Sequence, residues 1–278
     1  MPMPSLPAPE IPLPGEFVGP QLAATPERWT LELEPLVRNE LARVLAALAR
    51  GDDEAPLVVA THAALERVTA RVLALLGEGP GFALVRGVPV EGHSRDVVGR
   101  LFTIMGRALG QPQAQNLEGE LLTDVRDIGA DPRDIDVRLY KTAAEQDFHT
   151  DGADVIGLCC LQTAKSGGES RLVSSVRVVR SVCAAWPELA PLLFEPWWFQ
   201  LPGGPARGLP AALPRPIASF DGRKLETFFI GWYIRNAQGL PGVPPRDDAR
   251  RELLGHFEAT ANDPALYLDM PFVPGDVQ

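Results

Sequence analysis

Phe148-His149-Thr150-Asp151-Gly152 is the stretch on which the reading of this chain turns. A histidine and an aspartate stand two residues apart, after a mixed polar run and before a long apolar one. On an extended backbone, residues i and i+2 point to the same side. The His149 imidazole and the Asp151 carboxylate are therefore expected to converge on one point. Such a pair is two thirds of the 2-His-1-carboxylate face that holds non-haem iron(II). The third ligand should be a histidine far downstream, and His256 alone lies there. It falls inside a helical pattern over residues 246–261 and reads as a helix-surface histidine. His62 and His93 read as ordinary helix and loop residues. A bare His-x-Asp also arises by chance, in which case Asp151 merely caps a turn before Gly152.

Outward from the motif, residues 154–162 form a nearly continuous apolar segment without a helical stripe. Its length predicts a fully covered strand. Ser166-Gly167-Gly168-Glu169 is a turn, and residues 170–173 return as a strand. Ser174-Ser175 caps a short helix to about Ala185. Pro196-Trp197-Trp198-Phe199 reads as extended, residues 202–214 as a Gly/Pro/Ala loop. Residues 216–230 read as a hairpin around Asp221-Gly222. A helix over 246–261 and a strand over 266–270 follow. On the N-terminal side, residues 121–126 and 137–142 look like strands around an Asp/Pro/Gly-rich loop.

The first 110 residues read as helical scaffold. Leu36, Val37, Leu41, Val44, Leu45 and Leu48 recur at helical spacing, and Gly51 ends that helix. Leu57-Val58-Val59 is short and apolar. Thr61 then looks like the N-cap of a second helix with Leu65, Val68, Val72, Leu73 and Leu76 on one face. Phe82–Arg86 reads as a buried strand, and Ser94 as the cap of a third helix. Residues 1–29 are proline-rich and read as an extended arm. The remainder, 30–278, is expected to be one domain: scaffold over 30–110 and a β core over 80–278.

With 278 residues, 45% hydrophobic and 22% charged, the chain can bury a large core. No apolar run of membrane-spanning length occurs, and the start lacks a secretory signal pattern. The net charge of −10 argues against a nucleic-acid backbone as partner. Cys159, Cys160 and Cys183 are odd in number and partly adjacent, which predicts free thiols in a reducing cytoplasm. A homo-oligomer is compatible with all of this. Short strands after a helical start predict an α+β fold, a sandwich or jelly roll with flanking helices.

Three segments together carry a resemblance. Residues 148–155 (Phe-His-Thr-Asp-Gly-Ala-Asp-Val), Leu158-Cys159-Cys160-Leu161, and 164–170 (Ala-Lys-Ser-Gly-Gly-Glu-Ser) resemble the taurine dioxygenase-like (TauD/TfdA) family. Gly81–Gly87, Asp221-Gly222 and Pro274-Gly275-Asp276-Val277-Gln278 extend the likeness over most of residues 80–278. The family consists of iron(II)- and 2-oxoglutarate-dependent oxygenases built on a double-stranded β-helix. The resemblance implies iron(II) as cofactor, 2-oxoglutarate as cosubstrate, and dioxygen plus a small organic molecule as partners. It places His149 and Asp151 at the first two iron ligands. Ser170 falls where a hydroxyl contacts a 2-oxoglutarate carboxylate, although an ordinary strand serine fits equally. Tyr140 and Asp154 lie near the motif, facing either the substrate or the surface. A carboxylate at 151 takes the position a halide would need, which implies hydroxylation rather than halogenation.

One departure stands out. In the family, the Pro-Gly-Asp turn leads to a strand carrying the second histidine, and an arginine anchoring 2-oxoglutarate follows later. Neither is found here, so the chain reads as a truncated piece or as a degenerate, non-catalytic member. Stopping within a core strand favours truncation. Substrate choice would rest on segments near Asn116, 127–136 and 203–213.

Overall fold

The structure, a computed structural model, describes residues 4–8, 10–116, 119–131 and 139–278. Helix α1 (Gly19–Ala23) lies inside the predicted arm, and strand β1 (Thr30–Glu32) follows it. Helix α2 (Pro35–Arg50) buries Leu41, Val44, Leu45 and Leu48, whereas Leu36, in its first turn, faces solvent. Gly51 ends it at φ +82°, a conformation a side chain would resist.

Helix α3 (Glu54–Gly77) corrects the sequence reading. Asp53, not Thr61, is the cap, its carboxylate accepting from the Ala55 N–H at 3.2 Å. Pro56 is tolerated because the first turn has no N–H bond to lose. Leu57-Val58-Val59 is therefore helical, and Thr61 is buried mid-helix, its hydroxyl donating to Leu57 O at 2.8 Å. Leu73, read as inward, is exposed. Strand β2 (Leu84–Arg86) pairs in parallel with β1, and helix α4 (Arg95–Arg107) starts at Ser94 as expected. Helices α2, α3 and α4 enclose one core around Leu41, Leu45 and Leu101.

Strand β3 (Ser170–Leu172) leads to helix α5 (Ser175–Ala185), capped by Ser174. Strands β4 (Pro196–Gln200) and β5 (Ala212–Pro216) pair antiparallel, as do β6 (Ala218–Phe220) and β7 (Leu225–Thr227). Helix α6 (Gly231–Asn236), helix α7 (Asp248–Ala261) and strand β8 (Leu268–Met270) complete the order, β8 pairing antiparallel with β3. A second core gathers α5, α7 and the β4–β7 strands around Val179, Trp197, Ile217 and Leu253.

Two strand predictions differ from the structure. Residues 121–126 form no strand. Arg126 and Ile128 do donate N–H bonds to Tyr140 and Lys141, but Leu139–Lys141 coil into a 3-10 turn that stops a ladder. Residues 137 and 138 of the partner prediction lie outside the described residues. The apolar run 154–162 pairs only at 158–160, and its partner is the 275–278 segment. Val155 and Ile156 are each 42% exposed, so the run is not the covered strand expected.

That 275–278 segment is the seam between the halves. Val277 exchanges N–H···O bonds with Val85 of β2, and Gln278 does so with Leu158. Asp276, fully buried, receives the Arg86 guanidinium at 2.9 Å on each oxygen. The strands described are thus four two-stranded pairs, and the seam ties residues 158–160 to the edge of the β1–β2 pair. No helix among the described residues is long and apolar enough to cross a membrane.

Candidate metal centre

The His149 motif lies on an irregular stretch held to the core by the residue between the two candidate ligands. The Thr150 N–H donates to Phe229 O at 2.8 Å, and the Phe229 N–H donates to the Thr150 hydroxyl at 2.8 Å. Thr150 is thereby turned toward Phe229. His149 and Asp151 share the other side, with Nε2 and Oδ1 3.9 Å apart. This is the alternation the spacing predicts. Donors in adjacent positions on one ion, each about 2.1 Å from it, stand about 3 Å apart. Small side-chain rotations would close the remaining gap.

The imidazole is oriented on two more sides. Its Nδ1 lies 2.7 Å from Asp147 O. A carbonyl can only accept, so Nδ1 carries the proton, and Nε2 is the ring nitrogen on the Asp151 side that a metal could take. Trp232, on α6, meets the ring at 4.8 Å in a T-shaped contact. Arg235, one turn further along α6, pairs with Asp147 at 3.2 Å and with Glu258 of α7. Phe148 turns the opposite way, against Tyr267. The His149 side chain is 25% exposed and that of Asp151 51%, so the pair is reachable from solvent.

The other candidates fall elsewhere. Ser170 lies on β3, and its hydroxyl donates to Gln278 Oε1 at 3.0 Å. His256 stacks on Trp186 with ring centroids 3.9 Å apart, consistent with its reading as a helix histidine rather than a ligand. His62 Nε2–H donates to Ile104 O at 2.9 Å within the helical core. Among the described residues, no cluster of three His, Cys, Asp or Glu side chains is arranged to hold a metal. The structure therefore unites His149 with Asp151 and leaves the third position without a described protein donor. Sequence reading missed Asp147, Thr150, Trp232 and Arg235 as supports. Only the Trp232-x-x-Arg235 spacing, one helical turn, offered a signal for any of them.

Comparisons with known proteins follow the same lines. The chain is 28% identical to FR-33289 synthase of Streptomyces rubellomurinus over 218 residues, 76% of this chain and 63% of that protein. It is 26% identical to a taurine hydroxylase-like protein of Stachybotrys chartarum over 215 residues, 72% of this chain and 53% of that one. The chain thus spans less than two thirds of either relative. Among solved structures it resembles an asparagine oxygenase in complex with Fe(II), 3-hydroxyasparagine and succinate, with TM-score 0.67 and 18% identity, covering 90% of this chain and 84% of that one. It also resembles the non-heme iron oxygenase OrfP in complex with Fe and alpha-ketoglutaric acid, with TM-score 0.60 and 16% identity, covering 89% and 83%. These likenesses establish the fold. The model of the taurine catabolism dioxygenase TauD, TfdA family matches residues 48–278, and the chain belongs to that family.

Proposed function

We propose that this chain forms the iron(II)-binding part of a 2-oxoglutarate-dependent oxygenase that hydroxylates a small organic molecule. The observation that carries the reading is the Thr150-clamped pair, His149 Nε2 facing Asp151 Oδ1 at 3.9 Å. An imidazole with its Nδ1 proton already engaged and a carboxylate beside it suit iron(II) on one face. Bound there with 2-oxoglutarate, the iron would supply oxidation of a substrate C–H bond by dioxygen.

The chain's own contribution is placement. Asp147 fixes the His149 tautomer through its carbonyl, Trp232 limits ring rotation, and Asp151 takes the site a halide would need. Ser170 is the candidate contact for a 2-oxoglutarate carboxylate, its hydroxyl exchanging Gln278 for that anion. The surrounding strands are read as part of a double-stranded β-helix. Free thiols at Cys159, Cys160 and Cys183 support a cytoplasmic setting. The alternative reading is a non-catalytic binding member of the same family.

Anaerobic titration with Fe(II), followed by succinate assays over a panel of amino acids, sulfonates and aryloxy acids, separates these readings. Saturable Fe(II) binding in the wild type, lost in His149→Ala and Asp151→Ala, supports the metal site. Substrate-coupled succinate then supports the oxygenase, and binding without turnover supports the non-catalytic member. Equal Fe(II) binding by wild type and both variants rejects the site.

A further inference from the structure

We infer that residues 157–161 are an edge through which two copies of this chain pair, antiparallel and about a two-fold axis at Cys159. Strands β1 and β2, the 275–278 segment and residues 158–160 lie side by side in that order. Residues 158–160 are therefore the last element of this small sheet, and one of their two edges faces outward.

That outward edge is open. Leu158 and Cys160 direct their backbone groups inward, to Gln278, Asp276 and Gly275. Successive residues of a strand aim these groups at opposite edges, so Gly157, Cys159 and Leu161 aim theirs outward. Among the described residues, none of these has a backbone hydrogen-bond partner. Gly157 and Leu161 are exposed, so the edge can be reached. The features that usually guard such an edge are missing. From Val155 to Ala164 the sequence holds no charged residue and no proline. Ile156, Leu158 and Leu161 are exposed along it. An unguarded apolar edge is a template for another strand.

The strand that fits is the same segment of a second copy. Antiparallel pairing centred on Cys159 sets Gly157 opposite Leu161 of the other copy and engages every outward-facing residue of both. Asp154 stands just before the uncharged run and Lys165 just after it. The antiparallel arrangement brings the Asp154 end of one copy to the Lys165 end of the other. A parallel arrangement sets like charges together at both ends, which opposes it. The contact is self-complementary, as a two-fold interface must be. A short edge buries little area, so the dimer belongs to the weak, reversible class.

Sedimentation equilibrium of the full chain over about 1 to 200 μM tests this, and a monomer–dimer equilibrium is expected. Leu161→Pro removes an outward N–H from each copy and should weaken the dimer about tenfold or more. A crosslink reads the register. Leu158 stands opposite Cys160 of the other copy in a non-hydrogen-bonded pair, with Cα atoms about 4.5 Å apart, within reach of a disulfide. Under oxidised glutathione, Leu158→Cys is expected to give a covalent dimer joined from position 158 to position 160, as peptide mapping would show. Adding Cys160→Ser should abolish it. Should Leu161→Pro fail to fold, this crosslink decides alone. Several results overturn the assignment: a monomer throughout the range, which leaves the edge to some other partner; a dimer that folded Leu161→Pro leaves unchanged; no crosslink between 158 and 160; or a covalent dimer through position 158 that survives Cys160→Ser.

Discussion

Thr150 and Phe229 bond to each other in both directions, backbone N–H to carbonyl and backbone N–H to hydroxyl, each at 2.8 Å. Phe229 is buried and packs on Phe257 of α7 at 4.4 Å. The clamp therefore hooks the motif to the core through the one residue that is not a candidate ligand. Thr150→Val keeps the shape but leaves the Phe229 N–H without its acceptor. Stability is expected to fall by about 1–3 kcal/mol in urea unfolding, with Fe(II) affinity falling too. Thr150→Ser, which keeps the hydroxyl, should recover most of both. A Val variant as stable as the wild type removes the clamp from the account.

Asp276 and Arg86 form the charged bolt of the seam, and their burial is unequal. The Asp276 side chain is fully buried and that of Arg86 35% exposed. Asp276 raises the Arg86 pKa, chiefly through the paired hydrogen bonds. Arg86→Met strands a carboxylate in the interior and should cost about 3–5 kcal/mol. Asp276→Asn should cost less, because the freed guanidinium can turn toward water. Urea unfolding of both variants checks the order, and the reverse order would show that Asp276 is held mainly by the Val273 N–H instead.

Local signals were legible in the sequence, and partners were not. Ser94 and Ser174 start their helices and Gly51 ends its own as read, because a cap is settled within four residues. Thr61 misled because Asp53, eight residues earlier, caps first. The apolar run 154–162 looked like a covered strand, but covering depends on what packs against it, and only 275–278 pairs with it among the described residues. At the site, the shared side of His149 and Asp151 follows from a period of two. The Thr150–Phe229 clamp spans 79 residues, and no local pattern encodes it. The same holds for the Trp232 ring against His149.

Gly275 is the backbone hinge of the seam. Its φ is +89°, and a Cβ there would lie 2.2 Å from Val88 O. Its N–H donates to Cys160 O while its own carbonyl accepts from Val88. Gly275→Ala must shift the backbone and should open both flanking pairings, at a cost above about 1 kcal/mol. Hydrogen exchange at the Val277, Gln278 and Leu158 amides is expected to quicken well before that of the α5 core. Unchanged protection at those amides would mean that the seam tolerates the methyl.

The thiols provide an independent reporter of that opening. Burial pushes Cys159 and Cys183 up to about 11 from the usual 9.0, and burial also raises Cys160. At pH 8 about one thiol in a thousand at positions 159 and 183 is thiolate, so iodoacetamide labelling of the native protein should be slow. Its rate should rise about tenfold per pH unit until about pH 11. Because the folded values are raised, the stability they contribute is present below about pH 9 and is lost as pH climbs toward 11. Cys159 sits opposite Val277 in the seam, whereas Cys183 lies on α5. Gly275→Ala should therefore speed labelling of Cys159 and spare Cys183, as peptide mass mapping would show. Equal acceleration at both positions would mean that the variant unfolds as a whole, and that the seam does not open on its own.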